Sequence, residues 1–141
     1  MDKKPPVIEG PHFTATHLGE LAKLDQYNKR AKVFLKNILN LTGMEISVNK
    51  VPAGGEAPFL HKHKNNEEVY FFVKGKGQFQ VDGQIIDIQE GSVIRIAPEG
   101  VRAFRNNSTE DLYYICIQAA KDSLTTWTMT DGEIVEGPIN W

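Results

Sequence analysis

Cysteine is nearly absent: Cys116 stands alone among 141 residues, and one thiol cannot close an internal disulfide. The N-terminal stretch MDKKPPVIEG lacks the apolar core of a secretion signal, and together these two features predict a cytoplasmic protein. No apolar run approaches the roughly 20 residues needed to span a bilayer, so no membrane span is expected. Excess charge of one sign is also missing. The formal net charge is −2 with the signs interspersed, and no basic stripe interleaved with aromatics appears, which argues against a nucleic-acid partner. The densest basic stretch, Lys29, Arg30 and Lys32, reads as a solvated surface. Finally, no Pro/Gly/Ser-rich linker and no internal repeat divides the chain. With 40% apolar and 24% charged residues it has the composition of one ordinary globular domain.

What the chain does have is a regular rhythm of short strand signals. Met44, Ile46 and Val48 alternate with Glu45, Ser47 and Asn49, the period of a strand with one buried face. Further strands are expected over Glu68 to Val73, Gln78 to Val81, Gln84 to Ile88, Ser92 to Ile96, Val101 to Arg105 and Leu112 to Gln118. Gly, Pro and Asn clusters separate them, and Asp82-Gly83 is a strong hairpin signal. Short strands at such close intervals predict an all-β sandwich or barrel. Residues 1–31 read as an N-terminal arm followed by an irregular or short helical segment, and residues 32–141 as a β-barrel. The stretch Lys32 to Ile38 reads as a strand, and a C-terminal hairpin is expected around Asp131-Gly132. Val69, Phe71 and Val73 make one strand apolar on both faces, so its second face needs cover from the other sheet or a partner subunit, and a homodimer is expected.

The chemistry concentrates in Gly55-Glu56-Ala57-Pro58-Phe59-Leu60-His61-Lys62-His63-Lys64-Asn65-Asn66-Glu67-Glu68. Residues two apart on extended chain share a face and lie roughly 6.5 to 7 Å apart, so His61 and His63 can converge on one ion. The polar link after them allows Glu68, at the start of the next strand, to bring a carboxylate to the same point. Neutral imidazole and carboxylate are good ligands for zinc, iron and manganese. A lone His-x-His is more often a surface loop. Here the pair, the Glu and the framing glycines occur together, and that convergence favours a metal site. Tyr70, two residues after Glu68, is expected on the same face as a substrate contact, and Arg105 is a candidate for meeting an anionic group. Cys116 reads as a small buried hydrophobe, and Gly75 and Gly77 as hairpin glycines.

These residues resemble the cupin superfamily. Its first motif is matched by Gly55, His61, His63, Glu68 and Gly75, and its second is similar to Gly91, Pro98, Gly100 and Asn107. Where that second motif usually supplies a fourth ligand histidine, this alignment places Ala103. The resemblance implies a double-stranded β-helix, or jelly-roll barrel, with an N-terminal arm and extra terminal strands. It also implies a divalent metal ion (iron, manganese, zinc or nickel) held by His61, His63 and Glu68. The function expected is a metal-dependent enzyme, oxygenase-like or isomerase-like, acting on a small polar molecule. The alternative is a non-catalytic module that binds a small ligand such as a sugar or carboxylate. A fold does not choose between them.

Overall fold

Strand alternation determines which side chains meet inside the barrel. A computed structural model describes residues 2–141. The N-terminal arm, expected to be irregular, instead forms a small hairpin in which β1 (Val7–Gly10) pairs antiparallel with β2 (Phe13–Thr16). A 3-10 helix over Leu21–Gln26 follows. The segment expected as one strand from Lys32 divides. β3 (Lys32–Phe34) leads through Leu35 into a single helical turn, α1 (Lys36–Leu39). The turn stops at Asn40, whose φ of 56° is the left-handed conformation that ends helices.

The remaining strands fall where alternation puts them: β4 (Glu45–Val51), β5 (Asn66–Lys74), β6 (Lys76–Val81), β7 (Gln84–Gln89), β8 (Val93–Ile96), β9 (Arg102–Arg105) and β10 (Leu112–Ala120). They form a five-stranded sheet in the order β3-β4-β10-β5-β8 and a three-stranded sheet in the order β7-β6-β9, antiparallel throughout. This is the all-β, jelly-roll architecture expected. Asp82 (φ 50°) and Gly83 (φ 81°) make the tight turn between β6 and β7, because a two-residue turn matching the strand twist needs positive φ at both positions.

The second Asp-Gly does not repeat this, and the C-terminal hairpin is not formed. Thr128–Asp131 is one helical turn, here α2, and Gly132 has φ −71° and ψ 137°, a conformation no such hairpin turn can use. No helix among the described residues is long and apolar enough to cross a membrane.

Two apolar clusters hold the sheets. The interior one gathers Val51, Tyr70, Phe72, Phe79, Ile88, Ile96, Leu112 and Tyr114. The second lies on the outer face of β4, where Leu24, Val33 and Leu35 cover Val48, so the segment before residue 32 contributes a fully buried side chain to the fold. Close approach of the strands requires a glycine at Gly77, where an added Cβ would sit 2.4 Å from the carbonyl oxygen of Arg105. Gly77→Ala is expected to lower stability by about 1 to 3 kcal/mol, the usual cost of overpacking, read as a lower midpoint in chemical denaturation.

Candidate metal centre

The chain from Gly54 to His63 is too broken by Gly54-Gly55 and Pro58 to count as a strand, yet it runs antiparallel along β9 as an irregular edge. Ala57 N–H donates to the Phe104 carbonyl (2.9 Å), His61 exchanges two hydrogen bonds with Arg102 (3.1 and 3.0 Å), and His63 N–H donates to the Pro98 carbonyl (3.0 Å). These bonds set the His61 and His63 rings 5.4 Å apart. Glu68, the third residue of β5, is paired with Ile96 and Gln118 and buried. Its Oε1 lies 3.0 Å from His63 Nε2 and 3.7 Å from His61 Nε2. The histidines therefore come from the edge of the small sheet and the carboxylate from the large one. One donor atom from each of the three lies within 4.8 Å of the others, a spacing and donor chemistry that fit a divalent ion.

Two further residues meet Glu68: Arg102, which carries no clear signal in the sequence, and Cys116, whose sequence context reads only as a small buried hydrophobe. Arg102 is fully buried on β9, and its guanidinium contacts Glu68 Oε1 while donating to the Gly100 carbonyl (2.7 Å). Its Nε has no hydrogen-bond partner among the described residues. Cys116 Sγ lies 3.0 Å from Glu68 Oε2, so the thiol donates to the second carboxylate oxygen. Burial pushes the Glu68 carboxyl up, but the hydrogen bonds from Cys116 and Arg102, with the positive charges beside it, outweigh burial and hold it below the ordinary carboxylate range. The His61 imidazole is lowered by burial first and by Arg102 second, which keeps its ring neutral. Burial raises the Cys116 thiol well above its ordinary value, so it stays protonated. The only sequence signal for Arg102 is that it shares a face with Phe104 on β9, and long charged side chains are so rarely buried that this signal is easily discounted.

Tyr70 lies where expected, on the face of Glu68. It is buried among Phe72, Phe79, Phe104 and Tyr114, with its hydroxyl 3.4 Å from Glu68 Oε1. Ala103 and Arg105 do not join the cluster. Alternation turns both to the other face of β9. There Arg105 Nε donates to Gln78 Oε1 (2.9 Å), and both residues line an open groove of about 420 Å³. The side chain of β9 that reaches the histidines and Glu68 is that of Arg102, one position earlier. Asn106, not Asn107, is the buried asparagine, and it donates to the carbonyls of Val51 (2.9 Å) and Glu110 (2.7 Å).

Comparison with known proteins gives a consistent picture. Over 86 residues the chain is 29% identical to an uncharacterized protein, MJ1618, of Methanocaldococcus jannaschii; the match covers 61% of this chain and 64%, just under two thirds, of the relative. A crystal structure of a cupin protein, BF4112 of Bacteroides fragilis, is 44% identical and superposes with a TM-score of 0.72 over 74% of this chain and 89% of that one. A structure described as a predicted oxalate decarboxylase of Thermotoga maritima is 25% identical, with a TM-score of 0.51 over 53% of this chain and 64% of that one. The family described as "Cupin domain" matches residues 47–118, the stretch from within β4 to near the end of β10 that carries the His, Glu and Arg constellation. On this match and on the two-sheet barrel that bears it, the chain belongs to the cupin family.

Proposed function

We propose that the protein is a divalent-metal-dependent enzyme acting on a small anionic molecule, with His61, His63 and Glu68 as its protein ligands. The observation that carries this reading is the donor count. Three ligand-type side chains converge, and the neighbouring inward position on β9 is taken by Arg102, a cation that cannot ligate. A bound ion keeps open positions for water or substrate, as catalytic sites do and closed structural sites do not. When bound, the ion supplies Lewis acidity or activates water or dioxygen. The chain's own groups do the rest. Arg102, Cys116 and Tyr70 fix the Glu68 carboxylate, and a divalent ion with Arg102 against one carboxylate leaves the interior net positive. Carboxylate-bearing substrates suit that field, and the likeness to a predicted oxalate decarboxylase supports the same class.

A second reading is a non-catalytic module that holds a carboxylate or sugar. It is favoured by Arg102 itself, which already neutralises Glu68 without a metal. Elemental analysis of protein purified without added metal separates the two, with about one divalent ion per chain expected for the enzyme. Acid should release that ion, since imidazole and carboxylate bind only when unprotonated. His61 and Glu68 are both held below their ordinary values, so these two keep their ligand forms further into acid than free side chains. Protein that stays metal-free across iron, manganese, zinc and nickel, yet binds a small carboxylate, rejects the enzyme in favour of the module.

A further inference from the structure

We infer that residues 121–141 cross to a second copy of the chain and cover the open half of its large sheet, a reciprocal exchange that makes the dimer. The sheet supplies the first observation. Directly paired residues present one continuous apolar row on its outer face: Val48, Ile115, Phe71 and Val93 lie side by side across β4, β10, β5 and β8, with Ile46, Ile117 and Val69 in the row beside it. Val48 and Ile46 are covered by the chain's own Leu24, Val33 and Leu35. The same row continues uncovered, with Phe71 40% and Val93 55% exposed.

The tail supplies the second. Every residue from Lys121 to Trp141 is exposed, including Leu124, Trp127, Ile134, Val135 and Trp141, and Ile134 is 98% exposed. These large apolar side chains cover nothing on their own barrel. It leaves from Ala120, at the end of β10 beside Asn66 of β5, the two strands that carry the centre of the open row. Both unmatched surfaces thus belong to one chain, and a two-fold axis matches each to the other and closes the assembly. Several large side chains on each side are on the scale of the roughly 800 Å² per partner of a standard stable interface.

Both tryptophans of the chain, Trp127 and Trp141, lie in this tail, so tryptophan emission reports it alone. The full chain is expected to sediment at twice 15.8 kDa with blue-shifted emission that moves to the red as dilution dissociates it. Phe71→Glu, on an already exposed side chain, is expected to give a folded monomer with red emission. A full-length variant with Trp127→Ser, Ile134→Ser and Val135→Ser is expected to be monomeric as well. Mixing the two variants is expected to restore a dimer, because the intact tail of one meets the intact face of the other. A monomeric parent with shielded tryptophans means the tail folds onto its own barrel and overturns the exchange. So does a dimer with solvent-exposed tryptophans, which fits plain sheet-to-sheet docking, and so does a mixture that stays monomeric although each variant keeps its β-sheet spectrum.

Discussion

Replacing His61 and His63 together by alanine is expected to reduce bound divalent metal from stoichiometric to undetectable while the β-sheet circular dichroism stays unchanged. The two side chains are 35% and 27% exposed at the mouth of the barrel, so truncating them removes little packing, and neither belongs to an apolar cluster. The metal loses two of its three protein donors at once. Glu68 alone remains, already engaged by Arg102 and Cys116. Each tenfold loss of affinity corresponds to about 1.4 kcal/mol, and removing two first ligands takes retention far below what survives purification. Metal measured by mass spectrometry at an undiminished ratio in the double variant would mean that other atoms hold it, and the assignment of these three ligands would fall.

Arg102→Met is expected to destabilise the metal-free protein by about 3 to 5 kcal/mol, the cost of leaving a buried carboxylate without its cation. The effect is large because Arg102 is fully buried and satisfies the Gly100 carbonyl as well as Glu68. Divalent metal should return part of it. A ligand at one hundred times its dissociation constant stabilises the native state by about 2.7 kcal/mol, and an ion between His61, His63 and Glu68 stands in for the missing positive charge. Denaturant midpoints with and without metal measure both quantities. Arg102→His is expected to tighten metal binding by adding a fourth donor, whereas Ala103→His, on the outward face of β9, is expected to leave it unchanged. A gain from Ala103→His with none from Arg102→His would restore the alignment that puts Ala103 at the ligand position.

The contrast between those two neighbours shows what could be read from residues alone. The barrel strands were legible as short apolar segments set off by Gly, Pro and Asn, whether alternating as in Met44 to Asn49 or apolar on both faces as in Leu112 to Gln118, although β4 buries Ser47 and Asn49 as well as Val48. His61, His63 and Glu68 were legible because their spacing brings the right donors together under either an edge or a strand geometry. The facing of β9 was not. Only four residues long and entered from the Pro98-Glu99-Gly100 turn, it carries Arg, Ala, Phe and Arg, one arginine and one apolar residue on each face, so alternation cannot choose between the faces, and the charge that balances the inward Arg lies 34 residues away in the chain. The C-terminal segment misled for a different reason. Its Asp-Gly signal is local, and a lone two-stranded hairpin is only marginally stable without a surface to pack on. The β1–β2 hairpin carries no clear sequence signal, because Pro5, Pro6 and scattered charges surround its two four-residue strands.

The central place of β10 also bears on how the chain acquires its shape. This strand comes last among the ten, yet the large sheet is joined only through it, with Leu112 beside Val51 and Ala120 beside Asn66. Asn106 similarly ties its side chain to Val51 across 55 residues. Loops of that length must close before such pairings return any free energy, which places the domain among the slow, milliseconds-to-seconds class of folders. During synthesis β4 and β5 emerge long before the strand that separates and satisfies them, so β5, apolar on both faces, passes through an interval with both of its edges open to other chains.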